Sequence, residues 1–251
     1  MSSTLRLQRK LAIVTGSSSG IGRAICLRYF REGAKVVCAD LSATARSQVS
    51  EEADIATHEL ITNEGGNGDI RPNRLQTAVD RFGRLDIMVN NAGISLEARK
   101  PAMCHLTDED IRDTTMRVNA KSVFLGCKYA TAQMLKQTPH SSGDRGWIIN
   151  ISSIMGSVAG PQAPAYCASK GAVSSLTKQI AVDYAPHRIH VNAICPGFTQ
   201  TALLKQTTEN HPFNGLGYPD DIARLAVVLA SNDVNWITGI LLPVDGGYTA
   251  Q

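Results

Sequence analysis

A short apolar run, a glycine turn and a helical pattern follow one another near the start of this chain. That succession narrows the fold more than any other stretch. Lys10-Leu-Ala-Ile-Val-Thr15 reads as a buried strand, Gly16-Ser-Ser-Ser-Gly20-Ile-Gly22 as a turn, and Arg23-Ala-Ile-Cys-Leu-Arg-Tyr-Phe30 as a helix. Gly16 suits a tight turn that needs positive φ. Gly20 and Gly22 let the backbone approach a ligand and the helix approach the sheet. The helix N-terminus turns N–H groups and positive dipole toward a pyrophosphate, with Ser18, Ser19 and Ile21 in the same loop. The second strand, Ala34-Lys-Val-Val-Cys-Ala39, ends on Asp40 and Leu41. An acid at that place accepts both ribose hydroxyls of an adenosine. Strand, turn, helix and acid together point to dinucleotide binding. Gly16-Ser-Ser-Ser-Gly20 also satisfies G-x-S-x-G, the nucleophile elbow of hydrolases, with Ser18 as nucleophile. That reading leaves Gly22 and Asp40 without a purpose.

Further along, helical and strand patterns alternate. A helix is expected over residues 43–63, broken by Gly65-Gly-Asn-Gly68-Asp69, and another over 72–82. Strands are expected at 84–90, 147–152, 188–194 and 240–244, and helices at 108–137, 166–184 and 219–231. Residues 139–146 read as a polar surface loop. Alternating strands and helices imply an α/β fold with a doubly wound parallel sheet in a single domain over residues 1–251. Such sheets bind ligands at the carboxyl ends of their strands. Gly16, Asp40, Asn91, Ser153 and Gly197 all fall there.

Tyr166 and Lys170 are four positions apart in a helical segment, so they share one face. A positive charge beside a phenol lowers its pKa from the usual ~10 and makes it a usable general acid/base. Ser153, just past the strand at 147–152, can hold a substrate oxygen beside it. A Tyr-x-x-x-Lys pair alone is a weak signal, because many helices carry one as solvated surface residues. The glycine loop upstream gives it weight.

The remaining features mostly exclude. Net charge is +3, and lysines and arginines are scattered, so neither a nucleic-acid partner nor a membrane surface is implied. No apolar stretch reaches membrane-spanning length, and residues 1–10 lack a signal-peptide core, which suggests the cytoplasm. The six cysteines, at 26, 38, 104, 127, 167 and 195, form no C-x-x-C and read as reduced structural residues. The six histidines show no ligand spacing, so no metal is expected.

The motifs Thr15-Gly-Ser-Ser-Ser-Gly-Ile-Gly22, Asn90-Asn-Ala-Gly93, Asn119, Ser153, Tyr166-x-x-x-Lys170 and Pro196-Gly197 occur in an order that resembles the short-chain dehydrogenase/reductase family, with its Rossmann fold. The resemblance implies NAD as cofactor and hydride exchange with a neutral secondary alcohol or ketone. It implies that Tyr166 moves the proton, Ser153 orients the substrate, and Lys170 lowers the phenol pKa and bonds the nicotinamide ribose. Asn119 would anchor a proton-relay water. Asn91, Ala92 and Gly93 would steady the sheet and line the cofactor, while Pro196, Gly197, Thr199 and Thr201 would meet the nicotinamide end. Asp40, with no Arg or Lys at Ser17–Ser19 or Leu41, favours NAD over NADP. The implied pocket comprises Ser95, Leu96, Met155, Gln162, Phe198, Leu203 and Leu204, none of them basic. The family pairs the 108–137 and 166–184 helices across two-fold axes, which implies a homodimer or homotetramer.

This chain departs from the family pattern in three places. Residues 139–146 form a longer and more polar segment than usual. Asn67-Gly-Asp-Ile70 is a poor strand sequence, so the third, edge strand should be weakened or missing. The substrate loop at about 198–218 is short. These departures leave open a non-catalytic, nucleotide-binding relative as a second class of function.

Overall fold

In a computed structural model, residues 5–42, 44, 55–66, 69–70, 75–201, 203 and 212–251 are described. The strands are β1 (Leu11–Thr15), β2 (Lys35–Ala39), β3 (Asp69–Ile70), β4 (Ile87–Asn90), β5 (Gly146–Ile151), β6 (Ile189–Pro196) and β7 (Leu241–Val244). They form one sheet in the order β3-β2-β1-β4-β5-β6-β7. Every neighbouring pair is parallel. The chain order reverses between β1 and β4, which opens a crevice at the carboxyl ends of those strands.

The helices are α1 (Gly20–Arg31), α2 (Thr57–Asn63), α3 (Leu75–Phe82), α4 (Glu109–Met116), α5 (Ser122–Met134), α6 (Pro164–Tyr184) and α7 (Pro219–Ala230). They cover both faces of the sheet, so the central strands read as unbroken apolar runs. Along β1 the side chains alternate: Ala12 and Val14 pack toward Ile25, Cys26 and Tyr29 of α1 and Ile222 and Val227 of α7. Leu11 and Ile13 pack toward Val123, Cys127 and Met134 of α5 and Val173 of α6. This is the period of two expected of a pleated strand between two helical layers.

Within the described residues the edge strand is Asp69–Ile70, which pairs with Val37 and Cys38. Of the helix expected over 43–63, only Thr57–Asn63 lies within the described residues as helix, and α3 begins at Leu75, with residues 71–74 outside them. The strand expected to start at Arg84 starts at Ile87 instead. Arg84 and Asp86 are engaged otherwise: Asp86 accepts from Leu11 N at 2.8 Å, Arg84 Nε at 2.7 Å and the His140 ring at 2.8 Å. The helix expected over 108–137 is interrupted by a π turn, Arg117–Lys121.

The 139–146 segment is the surface loop its polarity suggested as far as Gly143, with Pro139, Ser141 and Gly143 exposed, and it turns inward at Asp144. Asp144 is fully buried, 2.8 Å from His190 and 2.6 Å from Arg188. His140 and His190 both pack on Trp147, His190 stacked within 7° of parallel. On the same indole, Lys10 Nζ stands 3.3 Å from the ring centroid and donates to Ala230 O at 2.7 Å. Burial lowers the Lys10 pKa to about 8. Asp144 Oδ1 is satisfied by His190 and Arg188, while its Oδ2 is buried with no hydrogen-bond partner among the described residues.

Candidate active site

The glycine loop leaves β1 at Gly16, whose φ is +65°. A Cβ there would stand 2.9 Å from Ala92 Cα, and one on Gly22 would stand 2.1 Å from Gly16 O. Only glycine permits this approach of helix to turn. Asn91 clamps it from the next strand: its Nδ2 donates to Thr15 O at 2.8 Å and Gly16 O at 3.1 Å. Asn91 and Ala92 both donate their backbone N–H to Thr15 Oγ1. The first turn of α1 holds no acid, and its N-cap, Ser19, makes no side-chain bond to the helix. The positive end of the helix dipole is therefore left for an anion, as a pyrophosphate requires.

Asp40 follows β2 and turns back to the loop. It accepts from Ser18 N at 3.0 Å and from Leu41 N at 2.7 Å. A carboxylate has about four acceptor sites, so capacity remains for ribose hydroxyls. The nearest arginine on α1, Arg23, is turned to Ile55 O at 2.7 Å and Thr57 Oγ1 at 3.3 Å. Ser18 Oγ donates to Ser42 O, not to a histidine, and so lacks the partner a hydrolytic nucleophile needs. Leu41 is 77% exposed. The set of glycines, dipole and acid fits an adenine dinucleotide.

At the far side of the crevice, Ser153 caps the short helical turn Ile154–Gly156 and accepts from Met155 N at 3.2 Å. The Tyr166 phenol lies near enough to the Ser153 hydroxyl for Ser153 to lower its pKa. Lys170 is buried beneath, its Nζ 5.7 Å from the Tyr166 ring centroid and 2.9 Å from Ile151 O, to which it donates. A Cβ on Gly93 would come within 3.6 Å of that Nζ, so Gly93 brings the β4 turn close to the pair. Asn119 sits in the π turn between α4 and α5. It accepts from Ile94 N at 2.8 Å and donates to Ile94 O at 2.9 Å and Ser169 Oγ at 3.0 Å.

The expected lowering of the phenol pKa by Lys170 does not hold in this structure. Burial pushes Tyr166 up to about 12, against Ser153, which lowers it. Burial also pushes Lys170 down to about 8. The side chain of Tyr166 is only half-exposed, and its hydroxyl is densely surrounded by protein. Desolvation penalises both charged forms, and it outweighs an ammonium whose nearest partner is a carbonyl rather than the phenol.

Pro196 ends β6, and Gly197 N donates to Val244 O at 2.9 Å. Thr199 Oγ1 donates to Gly197 O at 3.1 Å, and the Thr199 backbone bridges to Gly217. A Cβ on Gly20 would meet Thr201 Cγ2 at 3.2 Å, which joins the nicotinamide-side segment to the glycine loop. Of the implied pocket, Ser95, Leu96, Met155 and Phe198 are half-buried, Gln162 is exposed and Leu203 is 46% exposed; Leu204 lies outside the described residues. Sequence reasoning missed two supports. Ser152 Oγ donates to Lys170 O at 3.0 Å, and Glu97, 2% exposed, accepts from the first turn of α6. Neither carries a motif or a periodicity.

Residues 16–249 match the family model described as Enoyl-(Acyl carrier protein) reductase. The 2-(R)-hydroxypropyl-CoM dehydrogenase of Xanthobacter autotrophicus is 36% identical over 96% of this chain and 99% of its own length. The structure of a short-chain type dehydrogenase/reductase from Mycobacterium marinum superposes with a TM-score of 0.84 at 29% identity, covering 99% of this chain and 98% of that one. The chain belongs to the short-chain dehydrogenase/reductase family. It is therefore an oxidoreductase by family, with a Rossmann-type parallel sheet. The family uses NAD or NADP. A solved structure from Agrobacterium tumefaciens that holds bound NADP has a TM-score of 0.82 and 30% identity, with full coverage of both chains at 100%. Among the described residues, no helix of this short-chain dehydrogenase/reductase is long and apolar enough to cross a membrane.

Proposed function

We propose that this protein transfers a hydride between NAD(H) and a neutral secondary alcohol or ketone, with Tyr166 as general acid/base. The observation that carries this reading is the meeting of Tyr166, Ser153 and Lys170 at the carboxyl end of β5, across the crevice from the glycine loop. The nicotinamide, when bound, supplies the hydride acceptor or donor. Gly16 to Gly22 hold the pyrophosphate at the start of α1, Asp40 takes the adenosine ribose, and Lys170 takes the second ribose. Ser153 holds the substrate oxygen, and Tyr166 gives it a proton during reduction or takes one during oxidation. A phenol held near 12 stays protonated at neutral pH, which suits the reductive direction.

The preference for NAD rests on Asp40. A carboxylate held at the end of β2 by Ser18 N and Leu41 N would repel a 2′-phosphate on the adenosine ribose proposed to bind there, and Arg23 is turned to Ile55 O. The preference for a neutral substrate rests on Ser95, Leu96, Met155, Gln162, Phe198 and Leu203, none of which offers the cation an anion would need. The same reading places the enzyme in the cytoplasm as a homodimer or homotetramer. Phe124 and Tyr129 on α5, 50% and 53% exposed, are the apolar groups such pairing would cover. Light scattering that shows a monomer would remove that part of the proposal.

The test of the whole is turnover of a panel of aliphatic and cyclic ketones with NADH and with NADPH. Reduction with NADH favoured is the expected result. Binding of NADH without turnover of any ketone, by protein shown to be folded, would turn the reading toward a non-catalytic relative.

A further inference from the structure

We propose that Glu97 is a positioning residue for the proton transfer at Tyr166, an inference that rests on the role proposed above for that tyrosine. Helix α6 begins with a gap in its own hydrogen bonding. Its N-cap is Ala163, which has no side-chain acceptor, and no acid occurs in its first turn. Pro164 has no N–H to satisfy. The first bond made within this end is Cys167 N to Ala163 O at 3.0 Å. The N–H groups of Ala165 and Tyr166 are left, and helix starts leave such donors orphaned. Glu97, from the loop after β4, takes both. Its Oε1 accepts from Ala165 N at 3.0 Å and its Oε2 from Tyr166 N at 2.8 Å.

The carboxylate is 2% exposed. Burying it is costly unless it is bonded, and two N–H donors on a positive helix end are the compensation. A buried anion so satisfied defines where the helix starts to within the tolerance of a hydrogen bond.

The same loop holds the other side of the Tyr166 peptide. Ile94, three residues before Glu97, is bonded through both its N–H and its carbonyl to Asn119. Asn119 Nδ2 also donates to Ser169 Oγ at 3.0 Å, and Ser169 Oγ donates to Tyr166 O at 2.8 Å. Thus Tyr166 N is fixed by Glu97, and Tyr166 O is fixed through Ser169 and Asn119 to Ile94. Both polar groups of one peptide residue are tied to one short loop. Proton transfer needs the phenol within about 2.6–3.2 Å of the substrate oxygen. A displacement of about 1 Å can cost ~10²-fold in rate. Glu97 acts on position and not on proton affinity: its carboxylate faces the backbone, while burial, Ser153 and Cys167 are what move the phenol's pKa.

Glu97→Gln is the informative change. It keeps the size but offers one acceptor oxygen where two were used, so one N–H at the start of α6 loses its partner. The assay is steady-state reduction by NADH of whichever ketone in a panel the wild type reduces fastest, with circular dichroism and a thermal melt on the same samples. The expected result is a fall in kcat of about 10- to 100-fold, with KM for NADH and the pKa of the pH profile unchanged. In a Tyr166→Phe background the same substitution should cause no further loss. Wild-type kcat in folded Glu97→Gln overturns the inference. So does an added loss in the Tyr166→Phe background, or a fall in NADH affinity that matches the fall in kcat. Glu97→Asp, shorter by one methylene, serves if the glutamine variant fails to fold, and failure of both would make Glu97 a folding residue and refute the positioning role. If Tyr166→Phe itself retains full turnover, the fault lies with the tyrosine assignment and not with Glu97.

Discussion

Replacing Tyr166 with Phe removes one hydroxyl and leaves the ring, so its effects on stability and on rate separate cleanly. The hydroxyl lost lies near Ser153, with at most one hydrogen bond at stake, and Ser153 keeps its bond from Met155 N at 3.2 Å. A single hydrogen bond of this kind is worth about 0.5–1.5 kcal/mol of stability. In a chain of 251 residues that is a shift in Tm of about 2–4 °C per kcal/mol. Even if the whole of ~1 kcal/mol were lost from the transition state, the rate would fall by only about fivefold, since ~1.4 kcal/mol is tenfold. Loss of a general acid is worth ~10²–10⁴-fold. The two mechanisms therefore predict different numbers. Reduction of a ketone panel, followed by loss of NADH absorbance, should fall by at least about a hundredfold, while NADH affinity by fluorescence titration stays near the wild-type value. The pyrophosphate cradle at Gly16 to Gly22 does not touch the phenol, and this is why binding should survive. Retention of more than about a tenth of wild-type turnover, above anything the general-acid range allows, would refute Tyr166 as the proton donor.

Lys170→Ala should weaken NADH binding and turnover together, because the ammonium is proposed to hold the nicotinamide ribose; loss of turnover with NADH affinity intact would contradict that role. Since burial brings the Lys170 pKa down to about 8, its charge is lost as pH rises through that value, and NADH affinity should fall across the same step in the wild type and stay flat in the variant. Asp40→Ala should narrow the NADH:NADPH ratio of kcat/KM, and an unchanged ratio would show that the carboxylate takes no part in cofactor choice. Asp86 should govern acid stability. Burial would raise its pKa, but the bonds from His140, Arg84 and Leu11 N together bring it below the ordinary value. A carboxyl whose folded pKa is depressed contributes its full stability above ~4 and loses it as pH falls through the folded value. Asp86→Ala should lower Tm by about 6 °C or more at neutral pH, from ~3–5 kcal/mol for a broken buried pair, and should flatten the melting temperature below pH ~4. A melt indistinguishable from wild type would refute it.

The glycine loop, the sheet and the Tyr166 helix were legible because each is a local pattern. An apolar run bounded by Gly16 fixes β1, and Pro164 marks the start of α6. The weak third strand was legible for the same reason: Gly and Asn before Asp69 leave little to pair. Burial was not legible. Nothing in Tyr166-x-x-x-Lys170 says how far the surrounding protein desolvates the two groups, and so the direction of the phenol shift came out opposite to the pairwise expectation. The loop at 139–146 was legible from its polarity, but the burial of Asp144 was not, because its partners Arg188 and His190 lie more than 40 residues along the chain. Glu97 lies 69 residues from the tyrosine it supports, and a single acid in a loop has no periodicity to betray it.

The two ends of the sheet divide the work. Where the strands begin, Asp144 is paired with His190 and Arg188, Asp86 with Arg84 and His140, and Lys10 lies over Trp147 and donates to Ala230 O. Where the strands end, Asp40 keeps acceptor capacity, Ser153 lies near the phenol, and Tyr166 is only half-buried. Groups of the first kind hold the layers together, since leaving one buried charge unpaired is costly. Groups of the second kind are placed with bonds still to make, and their own frames are carried by Asn91, Asn119, Ser152 and Glu97. Substitutions at the first end should therefore appear as melting temperature with kcat nearly intact, and substitutions at the second as kcat or KM with the melt nearly intact. Glu97, Asn119 and their like fall between the two classes, because each holds a reacting residue through its backbone without meeting the substrate.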